Sequence, residues 1–270
     1  NSYGRQLARL TAPDYQETLL SRLYPGNQQS APTYQPTIAA LESLVPWAKW
    51  QKQQTIFRTD SGFGSDDNIN YALRHHWQVL TKGHGGRRPA ALMRQLAAAS
   101  WLLVGQERWV ATVPSAPVYA VPTQTLLLKW LNQRRQTKMA TVVCSMLDWT
   151  PQQVIHHYDD RGQCETQIQA DKGGLKLTRR RKQSLPAQEA LILLTDLAHN
   201  LVAWSRHWMA LDKPLNTFGT TRFIEDLLAI PGQLIFHNGR LLEVRLNEQH
   251  PYAKNVARAL HSLLLHFDIT

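Results

Sequence analysis

Four polar side chains in the stretch YDDRGQCETQIQADKGG, residues 158–174, have types and a spacing that could support chemistry. They are Tyr158, Arg161, Glu165 and Lys172. On one continuous helix at 100° per residue, the last three fall about 300°, 340° and 320° from Tyr158, so all four share a face roughly 21 Å long. Such a face could hold a metal ion at the glutamate, with the two cations as phosphate ligands and the tyrosine as hydroxyl donor or stacking ring.

The same spacing also has a simpler interpretation. Arg161 and Glu165 stand at i and i+4, where an ion pair on a solvated helix face contributes about 0.2–0.5 kcal/mol. The run KLTRRRKQ at 176–183 adds five cations nearby, which favours a polyanionic partner, although most charge runs are only solvated. The residue types alone leave both interpretations open.

A second candidate lies in FRTDSGFGS at 57–65, where Asp60 ends a short β-rich run. Taken alone, an Asp before Ser-Gly is usually a turn or capping residue.

The pattern Y-x2-R-x3-E-x6-K, as it stands at 158–172, is similar to the signature of a large group of DDE transposases from bacterial insertion sequences. FRTDSGFGS resembles the strand end and loop that carry the second catalytic Asp of that family. LYPGNQQSA at 23–31 matches the region that usually precedes that strand. The resemblance covers nearly the whole chain.

The resemblance implies a ribonuclease H-like α/β fold, with a mixed sheet flanked by helices, a β-rich insertion and a C-terminal α+β segment. It implies that Asp60 and Glu165 are two of three catalytic carboxylates, which hold two Mg²⁺ ions or, alternatively, Mn²⁺. The residues expected to bind DNA are Tyr158, Arg161, Lys172, Arg179, Arg180 and Arg181.

The family's first Asp lies on the first, central strand of the sheet. Because the predicted strand pair begins near Gly4 and the chain opens without an initiator Met, we expect that strand and its acid to precede Asn1. Asp14 follows Pro13 in a predicted turn and does not replace it. The remaining acids near the site fit helix starts better than a metal site: Asp66, Asp67, Asp159 and Asp160.

Composition favours a globular protein with a polyanionic partner. The 270 residues are 43% hydrophobic and 19% charged, and 30 basic against 20 acidic residues give a net charge of +10 and a pI near 9.8. Two cysteines are too few for a secreted disulfide framework, so we expect a cytoplasmic protein. The resemblance to insertion-sequence transposases implies that it is bacterial and associated with the nucleoid. No apolar run is long enough to span a membrane, and we expect no signal peptide.

Patterning predicts the elements that must position these residues. We expect paired strands at 4–12 and 15–26, a helix at 33–50, a strand at 53–60, a helix capped by Ser65 and a strand at 77–83. Further on, we expect a helix at 90–104, extended segments at 108–122, 125–132 and 138–147, and helices from Thr150 and at 187–208, 221–230 and 253–267, with an Asn238-Gly239 hairpin. The expected divisions are 1–83 and 151–208 for the core, 84–150 for the insertion and 209–270 for the C-terminal segment.

Further candidates could contact DNA around the insertion. Relatives often hold a flipped base against aromatic rings, for which Trp109, Trp130 and Trp149 are candidates. The cations that could neutralise phosphates are Lys82, Arg87, Arg88, Lys129, Arg134, Arg135 and Lys138.

The sequence therefore predicts a cut-and-paste DDE transposase that performs metal-dependent strand cleavage and strand transfer, inactive as this fragment. Its partners would be transposon-end and target DNA and a second copy of itself in a synaptic complex, with no membrane. The alternative is a non-catalytic, DNA-binding or partner-binding relic or domesticated derivative, and a nuclease of the same fold is a further rival. GFGSDD lacks the third glycine of a dinucleotide loop, and no zinc motif is present.

Overall fold

The computed structural model describes residues 4–97, 100–114, 117–179, 181–209 and 215–266. The chain divides into two compact units. The first comprises Asn1–Ala8 and Leu23–Gly162, and the second comprises Arg9–Arg22 and Gln163–Thr270. A two-stranded hairpin, β1 (Arg5–Ala12) with β2 (Glu17–Pro25), contributes residues to both, which confirms the predicted strand pair.

The first unit is built on a six-stranded mixed sheet. Its strands are β3 (Ile56–Thr59), β4 (Gln78–Lys82), β5 (Leu102–Gly105), β6 (Arg108–Thr112), β7 (Gln124–Leu131) and β8 (Thr137–Cys144). Their order is β3-β4-β8-β7-β6-β5, in which β3 and β4 are parallel and every other neighbouring pair is antiparallel. Four strands from the predicted insertion thus belong to the same sheet as β3 and β4. The predicted domain divisions and the predicted first core strand stay predictions.

Helices cover both faces of this sheet. The first unit contains α1 (Tyr34–Leu44), α2 (Lys49–Gln53), α3 (Asp66–Arg74), α4 (Arg87–Met93) and α5 (Pro151–Asp159). In β7, Leu126 and Leu128 pack in the same core cluster as α5, whereas Leu127 packs in the cluster that contains Leu92 of α4. Successive strand residues point to opposite faces, so an apolar run such as TLLL fits a strand buried on both sides.

Two expected helices differ from the structure. The predicted helix at 33–50 is two helices, because Pro46 forces Val45 into an extended conformation with φ −131° and ψ 126°. The predicted helix at 90–104 ends at Met93. Residues 102–105 instead form β5, since they pair with β6 from Leu102 opposite Val110.

The second unit is mainly helical. Its helices are α6 (Gly162–Gly173), α7 (Leu185–Met209), α8 (Thr220–Arg222), which continues as a π-helical turn (Phe223–Leu228), and α9 (Ala253–His266). A second hairpin pairs β9 (Gly232–His237) with β10 (Arg240–Leu246). Its turn has positive φ at Asn238 (47°) and Gly239 (76°), as the Asn-Gly pair predicts.

The predicted fold class is confirmed: a six-stranded mixed sheet flanked by helices, consistent with a ribonuclease H-like fold. Within the described ranges, no helix combines the length and the apolar character that crossing a bilayer requires.

Candidate active site

The helix that was predicted to carry the four-residue pattern is interrupted. Tyr158 lies in the last turn of α5, Arg161 lies in the turn that follows, and Glu165 and Lys172 lie on α6. The amide of Arg161 bonds to the carbonyl of Tyr158 at 3.2 Å, a tightened i to i+3 turn, and Gly162 follows directly. The expectation of a single helical stripe was therefore wrong, because it assumed one unbroken helix.

Asp159 and Asp160 also differ from expectation. They lie at the end of α5, not at a helix start. A carboxylate there opposes the helix dipole, and Asp159 is compensated by the Arg108 guanidinium of β6, whose NH1 and NH2 donate at 2.5 and 2.8 Å. By contrast, Asp66 and Asp67 do start α3, where the Ser65 hydroxyl accepts from the Asn68 amide at 3.4 Å.

Asp60 stands at the carboxyl end of β3, half-buried, as the sequence predicts. Its Oδ1 accepts the Gly62 amide at 2.8 Å, so the carboxylate also stabilises its own turn. The loop then approaches the end of β4 closely, since a Cβ on Gly64 would lie 1.9 Å from the Lys82 carbonyl oxygen. A larger residue at position 64 would displace this loop and the aspartate that begins it.

Lys82 ends β4, which runs parallel to β3, so Asp60 and Lys82 follow neighbouring strands at the same edge of the sheet. Burial and the positive charges of Arg161 and Arg108 lower the pKa of the Lys82 ammonium, while the charge of Asp60 acts in the opposite direction. The charges of Asp60 and Arg161 therefore both act on Lys82. This arrangement suits a phosphate that must lie beside a carboxylate.

The Tyr158 ring contacts the Arg161 side chain. Tyr158 is 7% exposed in the core of the first unit, and the Arg161 guanidinium lies 5.4 Å from the centroid of its ring. Arg58 of β3 donates to the carbonyl of His157 at 3.2 Å and so fixes the end of α5. Tyr158 is thus a platform for Arg161, and its direct contact with DNA stays a prediction.

Glu165 and Lys172 share α6 in the second unit, and both are exposed. Seven residues apart, they lie on one helix face about 10 Å from each other along the axis. The helix ends at Gly173, as predicted. Asp60 and Arg161 belong to the first unit, so the predicted site residues are divided between the two units.

A buried ionic network, which the sequence did not reveal, holds α6 in the second unit. Arg9 of β1 bonds to Asp171 of α6 at 2.5 Å and to Asp196 of α7 at 2.7 Å. The Arg9 and Asp171 side chains are 1% and 0% exposed. His199 of α7 joins through Nδ1 at 2.7 Å from Asp171 Oδ1 and Nε2 at 2.8 Å from the Gln16 carbonyl oxygen. The residue beside Lys172 is thereby fixed to α7 and to the hairpin.

His199 has acceptors at both ring nitrogens, which suits the doubly protonated imidazolium. Burial alone would lower the pKa of His199, but the hydrogen bond and charge of Asp171 outweigh burial and raise it, with Arg9 opposing. A pKa raised in the folded state stabilises the fold fully below the unfolded pKa of about 6.5 and loses that contribution as pH rises through the folded pKa.

We therefore expect the free energy of unfolding to fall on raising the pH from about 6.5 through the folded pKa of His199. His199→Gln should lose this slope, whereas His261→Gln, at an exposed histidine of α9, should keep it. Burial also raises the pKa of Asp196, but that group is common to all three proteins. Urea titrations across this pH range measure the slope, and equal slopes in wild type and His199→Gln would contradict the charged network.

Hard divalent cations prefer carboxylate oxygens, and Asp60 and Glu165 supply that kind of donor. In the part of the chain that the structure describes, no three His, Cys, Asp or Glu side chains are gathered so that they could hold a metal ion. The donor type fits a divalent ion, and assembly of a full ligand set stays a prediction.

The other expected DNA contacts are distributed as follows. Trp109, Trp130 and Trp149 are half-buried; Lys82 lies over the Trp130 ring at 5.2 Å, and Trp149 stacks on His157 at 4.3 Å. Two of the expected phosphate ligands are held in ion pairs, Arg88 with Asp66 and Arg135 with Glu107.

The basic run after α6 is exposed where it is described. Arg179 and Arg181 are exposed, and Arg180 lies outside the described residues. Nothing in this segment contradicts its expected role, which stays a prediction.

Two cations near Asp60 and Arg161, Lys82 and Arg108, are not singled out by the sequence patterns. The sequence places Lys82 among seven candidate phosphate ligands, although it ends one strand as Asp60 directly follows another. The sequence does not indicate Arg108. The rule that parallel strands end at one sheet edge could have singled out Lys82. Arg108 carries no local signal, because its partner Asp159 is 51 positions away.

The family described as "Transposase DDE domain group 1" matches residues 14–266. Among curated proteins, none matches the chain.

Proposed function

The chain belongs to the DDE transposase family, and we propose that it cuts and rejoins DNA strands at the ends of an insertion sequence in a divalent-metal-dependent reaction. The observation that supports the proposal is that Asp60 and Lys82 follow parallel neighbouring strands at one sheet edge, where the charge of Arg161 also acts on Lys82. A carboxylate beside a lysine, with an arginine acting on that lysine, suits a phosphodiester that must be bound beside a metal ligand.

Asp60 and Glu165 would hold Mg²⁺ or Mn²⁺ ions, which, when bound, activate the attacking hydroxyl and stabilise the leaving oxygen. Arg161 would bind a backbone phosphate with its forked guanidinium, and its planar group is held by the ring of Tyr158 beneath it. Lys82 would add a point charge at the same phosphate. Burial lowers the pKa of Lys82, and a bound phosphate would favour its charged form.

Lys172 and the basic run with Arg179, Arg180 and Arg181 would bind DNA backbone flanking the cut. The biological unit would be a homodimer on two transposon ends. Trp109, Trp130 and Trp149 remain our candidates for stacking on a displaced base.

The test is cleavage of DNA that carries the ends of the element in which the gene lies. The protein that the gene encodes is assayed with Mg²⁺, Mn²⁺ or EDTA. We expect strand breaks at the element ends that require the divalent ion. DNA binding without cleavage under any metal would overturn the enzyme and support the non-catalytic alternative.

The salt dependence of DNA binding should show whether Lys172 contacts a DNA phosphate. Because each phosphate contact contributes about −0.9 to the slope of log K against log salt concentration, Lys172→Gln should make that slope shallower by about one. Lys49→Gln, at an exposed lysine of α2, removes the same charge and should leave the slope unchanged. Fluorescence anisotropy between 50 and 300 mM salt measures both, and identical slopes for the two variants would exclude a specific role for Lys172.

A further inference from the structure

Helix α7 is apolar on two opposite sides. One side is buried in the second unit through Ile192, Val202 and Met209, together with the network residues Asp196 and His199. The other side exposes large apolar side chains by 36–63%: Leu193, Leu194, Leu197, Leu201, Trp204 and Trp208. A helix that is apolar all round is normally buried all round, so the exposed side calls for a partner.

Five of these side chains form what we call the α7 seam: Leu194, Leu197, Leu201, Trp204 and Trp208. Their spacing alternates three, four, three and four residues, which is the heptad pattern of a helix that packs along another helix. The seam is about 21 Å long at 1.5 Å per residue. It is also held in place, because the Trp204 Nε1 donates to Glu17 Oε1 at 2.5 Å and the Trp204 and Trp208 rings lie 6.5 Å apart.

The charges around the seam permit a second copy of the same helix. The residues that border it at heptad positions e and g are Leu193, Ala198, Asn200, Ser205 and His207. None is Asp, Glu, Lys or Arg, so these border residues of two α7 helices bring no like charges together although the chain carries +10 overall. The Glu17 carboxylate lies at one side of the seam, where it accepts the hydrogen bond from Trp204. Two-fold symmetry requires this kind of self-complementary patch.

The exposed area agrees with a dimer of ordinary size. A buried leucine side chain removes on the order of 100 Å² of apolar surface from water and a tryptophan about 200 Å². At the exposed fractions given above, the seam and Leu193 therefore offer on the order of 400 Å² per copy. Two copies at about 65% apolar content correspond to roughly 1,200 Å² in total, the lower end of the range for stable interfaces.

We infer that α7 pairs with α7 of a second copy in antiparallel orientation. Side-chain size sets the register: Ala190 continues the heptad four residues before Leu194, and it is small enough to face Trp208. That register places Trp204 opposite Leu194 and Leu201 opposite Leu197. The inference rests on the homodimer of the proposed function for its biological setting, but the pairing needs no DNA, so its failure and a failure of cleavage are distinguishable.

The oligomeric state of the chain without DNA tests the surface. Sedimentation velocity should show a dimer at tens of micromolar, and Leu197→Glu with Leu201→Glu should shift it to monomer with unchanged far-UV circular dichroism, because both positions are exposed. Leu234→Glu with Phe236→Glu is the matched control on the equally exposed hairpin β9–β10, and it should remain dimeric. A monomeric wild type at 100 µM, or a dimer that only the control disrupts, overturns the inference.

Cysteine cross-linking tests the register in a Cys164→Ser background, with Cys144 buried. Leu197→Cys and Leu201→Cys proteins are oxidised separately and as a mixture with copper phenanthroline. An antiparallel pair predicts a disulfide-linked dimer only in the mixture, in which position 197 of one copy faces 201 of the other. Cross-linking of each variant with itself would mean parallel helices and would overturn the proposed orientation.

Discussion

Glu165→Gln is expected to lower metal-dependent cleavage of transposon-end DNA by about 10³-fold while leaving DNA binding within about twofold. The amide keeps the size of the side chain but removes the negative charge that a divalent ion requires of its ligand. Losing one carboxylate ligand removes several kcal/mol of charge stabilisation, and about 4 kcal/mol corresponds to three powers of ten in rate. Glu165 is exposed on α6, so the substitution should not affect folding.

The control is Glu248→Gln, the same chemical change at another exposed glutamate. Its cleavage rate should equal that of the wild type. Asp60→Asn should lose activity as Glu165→Gln does, and the double variant should be no worse than either single one, because residues that act as one catalytic unit are not additive. Single-turnover cleavage at saturating DNA measures all four, and near wild-type rates for Glu165→Gln would remove it from the catalytic site.

Local patterns gave the parts of the site that depend on local chemistry. The end of β3 at Asp60, the Ser65 cap of α3 and the Thr150 cap of α5 each follow from a few neighbouring residues, and the structure confirms them. Thr150 even forms a reciprocal capping box with Gln153.

Sequence patterns gave wrong predictions where the secondary structure depends on contacts between residues that are distant in sequence. Helical periodicity cannot distinguish one helix from two, so the break at Asp160 and Arg161 was not visible in the spacing of the four-residue pattern. The break is compatible with the surroundings that the structure supplies, such as the Arg108 pair that offsets Asp159. Similarly, Leu102–Gly105 resembles a continuing helix until β6 is present to pair with it.

The ionic network lies beyond any local pattern, since Arg9 and Asp171 are 162 positions apart. In the sequence, Asp171 is one of several polar residues on a helix of mixed character. Only the fold shows that the Asp171 side chain is fully buried, in the last turn of α6 and directly before Lys172.

Asp171→Ala is expected to lower the free energy of unfolding by about 3–5 kcal/mol. This is the largest effect on stability that we expect from a single substitution. The change removes the partner that Arg9 and His199 share, and it leaves two buried cationic groups with only Asp196 to balance them. Removing one member of a buried ion pair is costly because the remaining charge cannot regain water. At about 2–4 °C per kcal/mol for a domain of 150–250 residues, the midpoint of thermal unfolding should fall by roughly 6–20 °C.

Asp226→Ala is the matched control, because Asp226 also pairs with an arginine, Arg222, but at an exposed i, i+4 position. Its unfolding midpoint should not differ measurably from that of the wild type, since exposed pairs gain little over hydrated ions. A triple variant, Arg9→Met with Asp171→Leu and Asp196→Leu, should recover part of the stability that Asp171→Ala loses, because it removes Arg9 together with both carboxylates that it binds and so avoids the desolvation of all three charges. Calorimetry on the wild type and the three variants measures these midpoints. If the midpoint of Asp171→Ala equals that of Asp226→Ala, the ionic network does not hold α6 in place. Other contacts would then have to position Glu165 and Lys172 on that helix.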